Sequence, residues 1–286
     1  MTQARLMDGT ALARRIVEDT ARRAADLTAR TGVVPCLATV LVGEDPASVT
    51  YVRMKQNRCR KAGIASRHVA LPATTTTEEL VGTLRELSAD PQVHGILLQH
   101  PVGEHIDERA AFEAIAPQKD VDGVTFASFA TMSFGLPGFV SCTPGGILRL
   151  LDEYGVDPAG KRAVVVGRSA ILGKPVGMLL LARDATVTYC HSRTRDLSAA
   201  VREADIVVAA VGRPRLIRGQ DIKPGAVVID AGYNPGNVGD VDFDSAVERA
   251  SLITPVPGGV GPMTIATLLD QTVSAAETAA VRITAA

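Results

Sequence analysis

From Cys36 to Ile229 the chain repeats one unit: a short apolar run rich in β-branched residues, a stretch with helical apolar spacing, then another run. Parallel strands must be joined by long crossovers, and helices supply them, so this order predicts parallel sheets covered by helices. The runs Cys36–Val42, Arg67–Leu71, Val93–Leu98, Arg162–Val166, Thr186–Cys190, Asp205–Val211 and Ala226–Ile229 read as strands. Helices are expected through Leu12, Ile16 and Leu27, between Asp45 and Gly63, and over Glu78–Leu87, Glu108–Ala116, Ile147–Tyr154, Pro175–Ala182 and Thr264–Val281. Asp45-Pro46 supplies an N-cap and a first-turn proline, and Gly63 a stop. Thr74–Thr77 reads as a solvated loop leading into a helix.

The fold class that follows is α/β with two domains, because 286 residues exceed one small core. The break falls near Val140–Pro144 and the last helix is assigned back to the first domain. That gives 1–141 plus 264–286, and 142–263, the second of Rossmann type. A net charge of −1, with no basic stripe or acidic tail, suggests neither nucleic acid nor an anionic membrane as a partner. Apolar runs are too short to span a bilayer, and Met1–Thr10 contains no apolar signal segment, so a soluble cytoplasmic protein is expected. The four cysteines are scattered without metal-ligand spacing, and no metal is expected.

After the strand Arg162–Val166 comes G-R-S-A-I-L-G-K-P-V-G, Gly167 to Gly177. Glycines let the backbone approach a phosphate, and a helix start offers free N–H groups and a positive dipole end. The pattern is not G-x-G-x-x-G, and a plain tight turn would explain it almost as well. The next strand favours the nucleotide. An NAD site needs an acid there for the ribose hydroxyls, whereas this strand ends in His191-Ser192-Arg193-Thr194. Hydroxyls and an arginine, with Arg168 on the glycine loop, suit an extra phosphate and hence NADP.

In Y-V-R-M-K, Tyr51 and Lys55 stand four apart on one helix face, beside the stripe of Val52, Gln56 and Cys59, read as the buried one. Desolvation there lowers an ammonium's pKa toward a range useful for a base, although a snorkelling lysine beside a packed tyrosine is the commoner arrangement. Gln99 stands at the carboxyl end of its strand, where open α/β sheets contact ligands. K-D-V-D-G carries Asp120 and Asp122, a pair able to bind a metal, cap a helix or accept hydrogen bonds from a heterocycle, with no further acid or histidine cluster close enough in sequence to favour the metal. Thr254–Thr264, T-P-V-P-G-G-V-G-P-M-T, is stiff yet open to close backbone approach.

Together, Y-V-R-M-K, G-I-L-L-Q, K-D-V-D-G-V, S-C-T-P-G-G, V-V-G-R-S, T-V-T-Y-C-H-S-R-T, G-A-V-V-I-D-A-G-Y and P-V-P-G-G-V-G-P-M-T resemble the bifunctional methylenetetrahydrofolate dehydrogenase/methenyltetrahydrofolate cyclohydrolase family. The resemblance implies a folate-binding catalytic domain, an NADP domain, a cleft between them and a homodimer. It implies Lys55 as catalytic lysine, Tyr51 packing on the pterin, Gln99 orienting the lysine, and Asp122 hydrogen-bonding the pterin. Gly167, Arg168, Ser169, His191, Ser192 and Arg193 fall on its cofactor motifs. Ala231, Gly232 and Tyr233 would face the nicotinamide, and Pro257, Gly258 and Gly261 would line the folate site. Two stretches depart from the family pattern. Gln99-His100-Pro101-Val102-Gly103 replaces Q-L-P-L-P, and Val124-Thr125-Phe126-Ala127-Ser128 replaces an aromatic-His-Pro-x-Asn run. The alternatives are a dehydrogenase of the same family with weak or no cyclohydrolase activity, a shikimate-type dehydrogenase, or a non-catalytic NADP-binding module.

Overall fold

The computed structural model describes residues 3–43 and 46–284, with the side chains of 46–53 and 282–284 outside the description. The expected cap Asp45 lies outside the described residues. The chain divides into two compact units: Met1–Arg14, Met132–Leu136 and Ser141–Ile265; and Arg15–Thr131, Pro137–Val140 and Ala266–Ala286. In chain order the first half holds β1 (Arg5–Leu6), α1 (Gly9–Thr31), β2 (Cys36–Val42), α2 (Pro46–Lys61), β3 (Ala65–Leu71), α3 (Thr77–Ala89), β4 (Gly95–Gln99), α4 (Glu108–Glu113) and α5 (Phe126–Ser133). The second half holds α6 (Cys142–Glu153), β5 (Arg162–Val166), α7 (Gly173–Leu181), β6 (Thr186–Cys190), α8 (Leu197–Arg202), β7 (Ile206–Ala209), β8 (Val227–Asp230), α9 (Phe243–Ala246), β9 (Leu252–Ile253) and α10 (Val260–Thr284).

In the second unit three parallel strands run in the order β3-β2-β4, with Val40 opposite both Val69 and Leu98. Central β2 buries Leu37 through Val42, as a strand covered on both faces must. α3 buries Leu80, Leu84 and Leu87, and its start is closed by a capping box: Thr76 Oγ1 accepts from Glu79 N while Glu79 Oε2 accepts from Thr76 N. The far end of α10 returns to this unit, burying Leu268, Leu269 and Val273. Its Gln271 donates to the carbonyls of Val121 and Val140 and accepts from Val140 N. Arg23 on α1 bonds Asp270, Ser274 and Glu277, so the helices at either end of the chain are cross-linked.

The other unit contains six parallel strands in the order β1-β9-β8-β7-β5-β6. Chain order reverses about β5, whose neighbours are β6 on one side and β7 on the other. Such a reversal opens a crevice beyond the carboxyl ends of the strands, where doubly wound sheets take ligands. Valines and isoleucines of β5, β7, β8 and β9 form the core beneath it. Strands Cys36–Val42, Arg162–Val166 and Thr186–Cys190 agree with the sequence reading residue for residue. β1 and β9 were not expected. Ala4 N donates to Val247 O and Met7 N to Ile253 O, which ties the first residues to this sheet rather than to the three-stranded one. α10 begins at Val260, so Gly261 and Pro262 belong to its first turn instead of to a loop before it.

Candidate functional site

Lys55 lies on α2, nine-tenths buried at 8% exposure, and its Nζ donates to Gln99 Oε1 at 2.9 Å. Gln99 ends β4, and its own Nε2 donates to His100 O at 2.8 Å, which turns the amide oxygen toward the lysine. One turn along α2, Cys59 is buried, and burial pushes its thiol up to about 12, so it stays protonated at neutral pH. Tyr51 lies on the same helix, with its side chain outside the described residues. The two acids of K-D-V-D-G separate. Asp120 is fully buried and accepts from Val124 N at 3.1 Å and Thr125 N at 2.9 Å, so it is spent on the turn. Asp122 stays half-exposed. The structure therefore joins Lys55 to Gln99 directly and leaves Asp122 the more exposed of the two acids.

Four exposed nucleotide candidates stand on neighbouring strand ends of the other unit. β5 and β6 are paired so that Val166 meets Cys190, and Gly167 N donates to Cys190 O. Arg168, Ser169, Ser192 and Arg193 are exposed just beyond. Gly167 has φ 135, and a Cβ there would fall 2.2 Å from Ala210 O, so only glycine fits. Ser169 Oγ accepts from Gly173 N at the start of α7. His191 is half-buried, and its Nδ1 accepts from Arg193 N, which puts the proton of the neutral ring on Nε2. No carboxylate occupies residues 191–194.

Beyond β8, Ala231 N donates to Ala209 O, and Tyr233 is exposed with its hydroxyl donating to Asn237 Oδ1. Gly258, with φ 107, accepts at its carbonyl from Thr10 N, and Pro257 follows a cis peptide bond. Beneath Ala231–Tyr233 lie two buried carboxylates that the sequence reading passed over. Asp230 accepts from Gly232 N, Asp240 N and Val241 N, and burial pushes it up to about 6. Asp240 accepts from Val211 N at 2.6 Å, Gly212 N at 2.9 Å, Arg213 N at 2.8 Å and Asn234 Nδ2 at 3.1 Å. The only signal in the sequence was G-D-V-D following a strand that itself ends in an acid.

Two family profiles match the chain: "Tetrahydrofolate dehydrogenase/cyclohydrolase, catalytic domain" over residues 7–122 and "Tetrahydrofolate dehydrogenase/cyclohydrolase, NAD(P)-binding domain" over 141–280. The chain belongs to the tetrahydrofolate dehydrogenase/cyclohydrolase family. Among its relatives in that family, "Bifunctional protein FolD 1" of Streptomyces avermitilis is 81% identical, over 96% of this chain and 95% of that one. A solved bifunctional methylenetetrahydrofolate dehydrogenase/cyclohydrolase from Campylobacter jejuni is 42% identical with TM-score 0.94, covering 96% of this chain and 99% of its own. A Trypanosoma brucei methylenetetrahydrofolate dehydrogenase-cyclohydrolase, solved with NADP cofactor and an inhibitor, is 40% identical with TM-score 0.94, covering 97% and 99%.

Within this dehydrogenase/cyclohydrolase chain, the two departures from the family pattern meet across one small cluster. The His100 ring stands edge-on to Phe112, centroids 6.1 Å apart. The Arg109 guanidinium lies over Phe112 at 5.3 Å and Phe126 at 4.8 Å. It donates to Val124 O and Glu113 Oε1, and that same oxygen accepts from Phe126 N. α4 thus braces both altered stretches, and the Lys55–Gln99 bond is formed with both of them in place.

Proposed function

We propose that this chain oxidises 5,10-methylenetetrahydrofolate to 5,10-methenyltetrahydrofolate with NADP and hydrolyses that product to 10-formyltetrahydrofolate. The observation that carries the reading is a buried lysine hydrogen-bonded to a glutamine at a strand's carboxyl end. Hydride loss from the methylene carbon is driven by a ring-nitrogen lone pair, so it requires two rings held in place and no side-chain base. Bound NADP supplies the hydride acceptor. Hydrolysis requires a base, because water attacking the methenyl carbon must give up a proton. A neutral Lys55 that donates one N–H to Gln99 keeps its lone pair for that proton, and Gln99 fixes where it points.

Asp122 would accept from the pterin and Tyr51 would pack on it. Arg168, Ser169, Ser192 and Arg193 would take the nucleotide phosphates and hydroxyls, with Gly167 admitting the backbone and His191 shaping the turn. Ala231, Gly232 and Tyr233 would meet the nicotinamide, and Pro257, Gly258 and Gly261 the folate. We assign folate binding to 1–141 plus 264–286 and NADP binding to 142–263, and read the working form as a cytoplasmic homodimer with no nucleic-acid or membrane partner. Among the described residues no helix is long and apolar enough to cross a membrane.

The test follows absorbance as purified protein meets methylenetetrahydrofolate with NADP, and separately with NAD. NADPH formation, with methenyl-folate appearing and then decaying faster than in buffer, is the expected result. NADPH without enzyme-dependent methenyl decay would reduce the protein to a dehydrogenase. No signal with either cofactor would overturn the reading.

A further inference from the structure

Asp240 is fully buried, and its two oxygens hold four donors from two separate stretches: Val211, Gly212 and Arg213 after β7, and Asn234 beyond β8. Asp230 completes the arrangement by accepting from Gly232 N and from Asp240's own N–H, while its backbone N–H donates to Thr254 Oγ1. The fit leaves no slack. A Cβ on Gly232 would lie 2.3 Å from the Asp240 carboxylate, and one on Gly239 would lie 1.9 Å from Asp230 Oδ2. A lost acceptor would leave the buried Asn234 amide without this partner and would release the part-buried amides of Val211, Gly212 and Arg213 from the group that holds them in place.

The location says what the device is for. Arg168 and Arg193 follow β5 and β6, and the loops held by Asp240 follow β7 and β8, so the two sets lie on either side of the point between β5 and β7 where the strand order reverses. A dinucleotide laid across such a reversal places its two halves on opposite sides of it. We propose that Asp240 is a positioning residue for hydride transfer, fixing the loops after β7 and β8 that receive the nicotinamide half while contributing nothing to the adenine half or to hydrolysis. This rests on the assignment of Ala231–Tyr233 to the nicotinamide made above.

Asp240→Asn keeps the shape but leaves one acceptor oxygen and turns an NH2 toward backbone N–H groups. Three measurements on the full-length variant decide the matter: dehydrogenase turnover with NADP, hydrolysis of added methenyl-folate without NADP, and affinity for adenosine 2′,5′-bisphosphate. We expect dehydrogenase kcat to fall about tenfold or more, as loop misplacement on the ångström scale does, with hydrolysis and bisphosphate affinity within about twofold of wild type. Parallel loss of all three, or an unchanged dehydrogenase, would overturn the proposal. Asn234→Ala removes only one of the four donors and gives the same selective pattern, weaker, should Asp240→Asn not fold; equal loss of both activities there is again a refutation. Absence of NADP-dependent turnover in the wild-type protein would instead overturn the functional reading beneath it.

Discussion

Lys55 and Asp230 are both buried ionisable groups, and each makes a separate experimental statement. Replacing Lys55 by Met would remove the proposed proton acceptor and leave both proposed ring sites. Hydrolysis is expected to fall about 10²–10⁴-fold, and hydride transfer much less, in separate assays of the two steps. Equal losses would break the division of labour. Asp230 concerns stability. Its folded-state pKa of about 6 lies above the ordinary 3.8, so the folded protein takes up that proton first. The resulting stabilisation is full below pH ~4, is lost as pH rises through ~6, and changes no further above that. Relative to Asp230→Asn, the wild type should therefore lose about 2–3 kcal/mol at most between pH 4 and 6.5, read from urea midpoints at several pH values. A difference independent of pH would mean the carboxyl is ionised throughout that range.

Among the elements, α3 offers the cleanest test because its start depends on one reciprocal pair. Thr76→Ala removes the side-chain half of the capping box and should cost about 1 kcal/mol, seen as a lowered thermal midpoint with both activities retained. The threonine run there reads in sequence as a solvated loop; nothing in T-T-T-T marks which threonine caps. Longer elements were plain. Cys36–Val42, broken only by Thr39, and Ala163–Val166 are apolar runs between turn or polar residues, and burial on both faces demands that pattern. β1 and β9 have two residues each, too few to carry a period, and exist because the other makes a partner or β8 does. At the site, the four-residue spacing and the strand end made Lys55 and Gln99 legible. Asp240 was not, because its partners are mostly backbone amides from remote segments, which leave no mark in residue identity.

At the scale of the whole molecule, the second unit is assembled from three separate stretches of chain. Deleting residues 266–286 would strip Leu268, Leu269, Val273 and the Gln271 amide from it at once. Losing several buried side chains at about 2–5 kcal/mol each exceeds the stability of most domains. The truncated chain should show no hydrogen-exchange protection at Val40 or Leu98 and no hydrolysis of methenyl-folate. Protection persisting there would show the three-stranded sheet self-sufficient without the last helix.

That discontinuity also sets an order of events on the ribosome. The stretch bearing Lys55, Gln99 and Asp122 emerges first, yet the helix that closes its core is made last. At typical synthesis rates the interval is on the order of ten seconds. The stretch from Ser141 to Ile265, including eight of the elements named above after α6, is complete before the part of α10 from Ala266 onward appears. The portion of the protein translated earliest is therefore the portion whose burial finishes latest, and for that interval its apolar strands depend on whatever the nascent-chain machinery of the cell provides to shield them.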